Sequence, residues 1–193
     1  MKVRPNLNDW IFACRVYGRF SSMPGASHIA TRRALSCLAA VLRQKRPKAV
    51  LEFGSGIGTV TYMLLASSPD LRVIGIEANP FCLEQLARNI PDELKPRLTL
   101  ANSDDARLDR RFDLIIIDGK FASRPPAFLL PGTICFIEGD RESQAKDLED
   151  MAAAKGLSID LERQLTWMRE LHTRKLRFVQ AKTCRIGTLT PKG

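Results

Sequence analysis

Short apolar runs alternate with segments of helical periodicity through the middle of the chain. The runs have the length of buried strands and lie at residues 49–53, 73–77, 97–101, 112–118 and 132–138. Helical spacing follows the first two runs, and a more polar helix is expected after the fifth, at 60–67, 80–90 and about 141–155. Continuous apolar runs are typical of parallel strands that are covered on both faces. The pattern therefore predicts an α/β fold with a mostly parallel sheet and helices on both of its faces.

The N-terminal part of the chain has helical spacing without any strand. The pattern predicts a helix over residues 7–17, with Asn6 as its cap and Gly18 as its stop. A second helix is expected from about His28, and it ends in the basic stretch 43–48, where cations favour a helix C-terminus. The beginning of the chain therefore reads as a helical extension.

A glycine-rich turn separates the first apolar run from the helix that follows it. Residues 49–59 read AVLEFGSGIGT, with Gly54, Gly56 and Gly58 at alternate positions and Glu52 ahead of them. Glycine accepts a positive φ and lets the backbone approach a ligand closely. A strand, a tight glycine turn and a helix N-terminus form a pocket for a nucleoside-bearing cofactor. The spacing differs from the G-x-G-x-x-G of a dinucleotide site, and the carboxylate suits an ammonium group, so a dehydrogenase is disfavoured.

This segment resembles the first motif of the class I S-adenosylmethionine-dependent methyltransferases. Their pattern, E/D-x-G-x-G-x-G, is matched by Glu52, Gly54, Gly56 and Gly58, and the resemblance continues in order to roughly residue 140. It implies a Rossmann-like class I methyltransferase fold, with a seven-stranded, mostly parallel sheet that has an antiparallel C-terminal strand. It also implies S-adenosyl-L-methionine as the methyl donor and S-adenosyl-L-homocysteine as the product.

Two β-prone segments near the end of the chain fit such a sheet. Residues 157–168 and 175–184 match its closing strand and antiparallel hairpin. The last residues, 188–193, are expected to be frayed. We expect one domain over residues 1–193, in which the extension 1–48 packs on a cofactor-binding core, 49–193.

Further cofactor residues are expected at the ends of the second and third runs. Glu77 lies about 20 residues beyond the glycine turn, where a carboxylate binds the ribose hydroxyls. The resemblance places an acceptor for the adenine amino group near Asp104, with Ser103 and Asp105 as alternatives. The cofactor site is therefore predicted to comprise Glu52, Gly54, Ser55, Gly56, Gly58, Thr59, Glu77, Ala78, Asn79, Ser103, Asp104, Asp105 and Asp118.

The fourth run ends on Asp118, at the edge of a parallel sheet where ligands bind. Residues 112–120, FDLIIIDGK, resemble the catechol-type O-methyltransferases, whose D-x-x-K pattern combines a metal-binding aspartate with a lysine that assists deprotonation. Here Lys120 comes one residue early, and Glu138 and Asp140 stand near the place of the second metal ligands. Asp118 and Lys120 are therefore the catalytic candidates, while a divalent metal is possible but not favoured.

Composition and charge bear on the compartment and the partner. The five cysteines are scattered and odd in number, no run is long enough to span a membrane, and the N-terminus lacks the apolar stretch of a signal peptide, so we expect a cytoplasmic protein. The net charge of +9 is uneven: residues 1–48 carry +9 and residues 163–193 carry +7. Such basic ends suit an anionic partner, or they form a solvated rim.

The acceptor remains open between several classes. A small molecule is favoured, because no aromatic residues alternate with the basic ones as a nucleic-acid stacking surface requires. The motif of the base-amino methyltransferases is replaced by Asp118-Gly119-Lys120-Phe121, yet other RNA or protein substrates remain possible through the basic ends. The 112–118 run is also similar to the aminopropyltransferases, for which the chain is short. A non-catalytic S-adenosylmethionine-binding protein is a further alternative, and the oligomeric state is left open.

Overall fold

A mixed sheet of eight strands lies at the centre of the protein. The computed structural model describes residues 1–102, 105–119, 127–139, 141–172 and 175–192. The strands are β1 (Ala49–Phe53), β2 (Arg72–Ile76), β3 (Leu98–Ala101), β4 (Leu114–Ile117), β5 (Ile134–Glu138), β6 (Leu157–Ile159), β7 (Glu162–His172) and β8 (Lys175–Pro191). Their order is β3-β2-β1-β4-β5-β8-β6, and β7 also pairs with β8. The pairs among β1 to β5 are parallel, whereas β8 pairs antiparallel with β5, β6 and β7.

Helices cover this sheet. They are α1 (Leu7–Phe20), α2 (Arg32–Lys45), α3 (Thr59–Ser67), α4 (Pro80–Asn89) and α5 (Glu142–Ala154). Short 3-10 turns occur at Ala26–His28, Lys95–Arg97 and Ala106–Leu108. The cap predicted from Asn79-Pro80 is confirmed, because the Asn79 side chain accepts hydrogen bonds from the first turn of α4.

The central strands are buried on both faces. In β4, Leu114 and Ile116 belong to one hydrophobic cluster, and Ile115 and Ile117 belong to the other. Side chains of α1, α2 and α3 complete the first cluster, while side chains of α5 complete the second. Alternate residues of a strand point to opposite faces, so a continuous apolar run is what two covered faces require. The predicted α/β class, with a mostly parallel sheet and helices on both faces, is confirmed.

The end of the chain differs from the sequence-based expectation. Residues 188–193 were expected to be frayed, but Thr188 pairs with Ile134 of β5, and the following residues pair with β6. Leu189 is fully buried. Backbone pairing on both sides of β8 satisfies the N–H and C=O groups of this polar segment, which its composition alone does not indicate. The sheet consequently has one strand more than the seven that were expected.

Two helix boundaries also differ. Helix α1 continues past Gly18 to Phe20, which is fully buried and packs its ring against Tyr62. Helix α2 begins at Arg32 instead of near His28, because the Thr31 side chain caps it by accepting from the amide of Ala34. The residues before Thr31 are thereby left outside the helix and available to line a cavity.

The N-terminal helices are attached to the sheet by specific polar contacts. Asp9, which is buried, forms a capping box with Asn6 and an ion pair of 2.9 Å with Arg43. The amide of Val3 donates to the side-chain oxygen of Gln164 at 3.1 Å. The ion pair joins α1 to α2 within the predicted extension 1–48, and the Val3 contact joins that extension to the antiparallel part of the sheet. Among the helices that the structure describes, none is long and apolar enough to cross a lipid bilayer.

Candidate cofactor-binding site

The glycine turn after β1 brings two backbones into close contact. A Cβ at Gly54, whose φ is +82°, would lie 2.7 Å from the amide nitrogen of Gly119. A Cβ at Gly119 would lie 2.9 Å from the Cα of Gly54. The ends of β1 and β4 therefore approach each other only because both positions lack a side chain. The glycine turn and the residues around Asp118 are therefore adjacent at the same edge of the sheet.

The other two glycines of the motif serve different purposes. A Cβ at Gly56, with φ +54°, would meet no atom within 4 Å, so this residue faces open space. A Cβ at Gly58 would lie 3.2 Å from Ile90 and 3.4 Å from Leu86, so this glycine lets α3 approach α4. Gly56 borders the ligand space, and Gly58 serves the packing behind it.

Glu77 connects the glycine turn to the loop after β2. One carboxylate oxygen accepts from the amide of Gly56 at 2.8 Å, and the other accepts from Ala78 at 2.9 Å and Asn79 at 2.8 Å. The sequence predicted ribose binding by this carboxylate, and that stays a prediction, whereas the structure shows that the carboxylate organises the local backbone. Because each oxygen can accept more than one hydrogen bond, acceptor capacity remains for a ligand hydroxyl.

Glu52 lies fully buried beneath the turn. Its Oε2 accepts from the hydroxyls of Thr61 at 2.6 Å and Ser55 at 3.2 Å. Its Oε1 and the hydroxyl of Thr59 have no hydrogen-bond partner among the described residues. Burial raises the pKa of Glu52 to about 7. Buried polar atoms without partners are uncommon, and of these two residues Thr59 lines the cavity described below, so its hydroxyl is the one placed to meet a ligand.

Two carboxylates and one guanidinium meet at the ends of β4 and β5. Arg141 donates to Asp118 Oδ1 at 3.1 Å and to its backbone oxygen at 2.9 Å, and it lies 3.6 Å from Glu138 Oε2. Burial, followed by the nearby charge of Glu138, raises the pKa of Asp118 to about 7. Burial also raises the pKa of Glu138. Asp118 can therefore exchange a proton near neutral pH.

A cavity of about 460 Å³ joins these groups. Its lining comes from the segment before α2, the glycine turn, the β2–α4 loop and the ends of β4 and β5: Gly25, His28, Ile29, Ala30, Gly54, Ser55, Gly56, Ile57, Thr59, Val60, Ile76, Glu77, Ala78, Asn79, Phe81, Cys82, Asp118, Gly119 and Arg141. A volume of this size is typical of small-ligand pockets. Eight of the predicted site residues line it, namely Gly54, Ser55, Gly56, Thr59, Glu77, Ala78, Asn79 and Asp118.

The remaining predicted residues lie elsewhere or are not described. Glu52 is buried beneath the turn and Gly58 packs against α4, so neither of these predicted residues lines the cavity. Asp105 forms an ion pair with Arg107, and this hydrogen bonding lowers the pKa of Asp105 to about 2. It is not among the residues that line the cavity. The predictions for Ser103, Asp104, Lys120 and Asp140 lie outside the described residues. Within the described part of the chain, no group of three His, Cys, Asp or Glu side chains is arranged to hold a metal ion.

Several lining residues were not predicted from the sequence. Gly25 has φ +88°, and a Cβ there would lie 2.7 Å from Ile57 and 3.0 Å from Phe81. The Pro24-Gly25 dipeptide is a turn signal, but it does not indicate which elements the turn will meet. Arg141 could have been predicted, because it follows the fifth apolar run and the end of that run lies at the same edge of the sheet as Asp118.

Comparison with known families identifies the domain type. A family model described as the methyltransferase small domain matches residues 21–124, which is more than half of the chain. The matched region includes the glycine turn, Glu77 and Asp118. No curated protein sequence matches the chain significantly.

Solved structures with a similar fold include several methyltransferases. A precorrin-6y C5,15-methyltransferase from Geobacter metallireducens GS-15 has a TM-score of 0.64 at 14% identity, over 88% of this chain and 93% of that chain. An O-methyltransferase from Bacillus cereus in complex with SAH has a TM-score of 0.58 at 16% identity, over 96% and 92%. An O-methyltransferase from Streptomyces achromogenes, involved in tomaymycin synthesis and solved with SAM, has a TM-score of 0.56 at 16% identity, over 100% and 93%. At these identities the likeness establishes the shared fold.

Proposed function

We propose that this chain, which belongs to the methyltransferase small domain family and is an S-adenosylmethionine-dependent methyltransferase, methylates an oxygen or nitrogen atom of a small-molecule acceptor. The observation that carries the proposal is the cavity that links the glycine turn to Asp118. One end of it offers glycine backbone and acceptors for a nucleoside, and the other offers a carboxyl group that titrates near neutral pH. Its volume suits small ligands.

The residues around the glycine turn fit S-adenosylmethionine. Glu77 and the open face of Gly56 would hold the ribose end, and the unpartnered hydroxyl of Thr59, which lines the cavity, suits a polar group of the cofactor. The bound cofactor supplies an electrophilic methyl carbon, which bonds to the acceptor atom while the electron pair of the carbon–sulfur bond stays on sulfur. The contribution of the protein is to position the two reactants and to take up a proton.

Asp118 is the proposed proton acceptor. Arg141 donates to its Oδ1, which orients the carboxylate, and Oδ2 has no hydrogen-bond partner among the described residues. With a pKa of about 7, the group is ionised often enough to accept a hydroxyl proton and basic enough to hold it. Arg141 then balances the charge that Asp118 and Glu138 carry before the transfer.

The position of Arg141 also supports a reaction without a metal ion. The guanidinium lies between the Asp118 and Glu138 carboxylates, so a divalent cation shared by these two groups would meet a positive charge at short range. We therefore keep the metal-independent reaction as the proposal, and chelation tests it below.

Nucleic acid is the competing acceptor. The case for it is weaker because some arginines of the basic segment are engaged in contacts within the protein. In the basic segment 1–48, Arg43 pairs with Asp9, and Arg19 lies over the ring of Tyr62. These side chains have intramolecular roles, so part of the basic charge serves the fold.

We propose the cytoplasm as the compartment, because scattered cysteines in odd number suit a reducing environment.

The test supplies the purified protein with S-adenosylmethionine that carries a tritium-labelled methyl group. Parallel reactions contain either a small-metabolite extract or total RNA. We expect the label in the small-molecule fraction, and an Asp118→Asn variant should lose it. Label that enters only RNA would overturn the small-molecule proposal, and calorimetry that shows no binding of S-adenosylhomocysteine would remove its premise.

A further inference from the structure

A second cavity, of about 560 Å³, lies between α1, the start of α2 and the segment 25–31. That segment is the partition between the two cavities, because Ile29 lines both of them. The backbone of Thr31, at the end of the partition, lies close enough to Glu138 to lower the pKa of that carboxyl group. The second cavity therefore borders the edge of the sheet where Asp118 and Arg141 meet.

The walls of the second cavity combine aromatic and cationic groups. Trp10 and Tyr17 lie seven residues apart on α1, which places them on one face of that helix. Arg32 and Arg33 extend from the first turn of α2, which contains no acidic residue. The Arg32 guanidinium lies 4.7 Å from the centre of the Tyr17 ring, so its position is already restricted.

The two arginines have no acidic partner among the residues that the structure describes. The other arginines near the N-terminus differ, since Arg43 is neutralised by Asp9. Guanidinium groups without a counter-charge, set beside aromatic rings, are suited to a carboxylate or phosphate carried on a flat ring. The rings offer stacking area, and the guanidinium groups offer paired donors.

We propose that this second cavity holds the anionic end of the acceptor, an aromatic ring bearing a carboxylate or phosphate group, and that the reacting atom reaches past Ile29 into the cofactor cavity. The inference rests on the proposed small-molecule function, and it names the substrate class of the same centre. The anionic group would contact Arg32 and Arg33, so the rest of the ring lies towards Ile29 and the cofactor cavity. Specificity for the acceptor then depends on charge as well as on shape.

The test is calorimetric titration of the whole protein saturated with S-adenosylhomocysteine. The probes are 4-hydroxybenzoate, phenyl phosphate and the neutral 4-hydroxybenzamide. We expect at least one anionic probe to bind about tenfold or more tightly than the amide, because a charge-assisted hydrogen bond is lost with the neutral group. The two anions distinguish a carboxylate from a phosphate. Equal affinity for the amide, or no heat with either anion, would overturn the inference.

Substitutions locate the binding in the second cavity. Arg32→Gln combined with Arg33→Gln should lower the affinity for the anionic probe about tenfold or more and leave the affinity for S-adenosylhomocysteine unchanged. Arg15→Gln combined with Lys45→Gln removes the same charge from exposed positions outside both cavities and should have little effect. Equal weakening by both pairs would mean a general charge effect and would contradict the site.

A second variant covers the case in which the arginine changes disturb folding. Ser27 is exposed and lines the second cavity, so Ser27→Glu adds a negative charge there without removing a contact of the core. Ser27→Glu should lower the affinity for the anionic probes, whereas Ser27→Gln should not. Unchanged binding of the anions to the Ser27→Glu variant would overturn the inference. Methyl transfer to small molecules with no preference for anionic probes would overturn this inference alone. Transfer only to RNA would overturn the function on which it rests.

Discussion

The carboxyl edge of the sheet has two halves that present different groups to a ligand. At the ends of β1 and β2 the binding groups are glycine backbone and a carboxylate, Glu77, whose two oxygens already accept three amide hydrogen bonds. At the ends of β4 and β5 they are the side chains of Asp118, Glu138 and Arg141, held by charge. The first half is fixed by backbone geometry, and the second depends on protonation.

This difference matches what each half has to do. The same methyl donor must be bound anew in every turnover, and a preformed surface suits it because little ordering is then needed on binding. In the proposed reaction the acceptor side takes up a proton during each turnover, and a carboxyl group with a pKa of about 7 is suited to that task. This distinction can be tested by substitutions that affect one half of the edge and leave the other half unchanged.

The largest effect is expected for Asp118→Asn. Asparagine retains an oxygen for Arg141 but cannot accept the proton, so turnover should fall roughly 10²- to 10⁴-fold. The affinity for S-adenosylhomocysteine, measured by calorimetry, should be nearly unchanged. Asp147→Asn, at an exposed position on α5, is the matched control. Turnover that falls only in proportion to the loss of folded protein would assign Asp118 a structural role instead.

The same carboxyl group predicts a pH dependence. Its folded-state pKa is raised to about 7, and only the ionised form accepts a proton. The kcat/KM of the wild type should therefore fall about tenfold per pH unit below pH 7 and level off above it. The acidic limb should be absent from the Asp118→Asn variant, and its persistence there would assign the titration to another group.

The next effect compares two glycines of the same turn. Gly54→Ala forces a Cβ to within 2.7 Å of the Gly119 backbone, whereas Gly56→Ala meets no atom within 4 Å. Both residues have positive φ, so both variants carry backbone strain of about 1–3 kcal/mol. Only Gly54→Ala adds the overlap, and its free energy of unfolding in urea should be clearly lower. Equal destabilisation would refute the close contact. Gly56→Leu should fold and fail to bind cofactor.

A smaller loss is expected for Glu77→Ala. The variant removes the carboxylate that accepts hydrogen bonds from the Gly56, Ala78 and Asn79 amides. It should weaken the binding of S-adenosylhomocysteine by about 1–3 kcal/mol. Turnover at saturating cofactor should change little, because the acceptor half is intact. Glu84→Ala, which removes an exposed carboxylate paired with Arg88, is the control. A large fall in turnover at saturation would contradict the separation of the two halves.

The smallest effect is expected from metal removal. EDTA should leave turnover unchanged, since Arg141 provides the positive charge beside Asp118 and Glu138. The measurement is the methyl-transfer rate before and after dialysis against EDTA, followed by addition of magnesium. Activity lost on chelation and restored by magnesium would show that the acceptor half holds an ion.

The sequence was sufficient for features that depend on neighbours along the chain. Five strands and the glycine turn follow from short-range periodicity, because strand, turn and helix preferences act over a few residues. The Asn79-Pro80 cap is local in the same sense, as its hydrogen bonds span three residues. Glu77 and Asp118 could be named because they end apolar runs, and the carboxyl ends of parallel strands meet at one edge. Glu52 could be named from its place ahead of the three glycines.

Only the tertiary structure decided which distant residues share that edge. Ile29 was expected within a helix, yet Thr31 caps α2 and leaves Ile29 in the partition between two cavities. Arg141 acquires its role from two strand ends that the chain brings together over more than twenty residues. The polar tail became part of β8 because it pairs with β5 and β6. Such contacts depend on long-range packing and backbone pairing, which composition and periodicity do not encode.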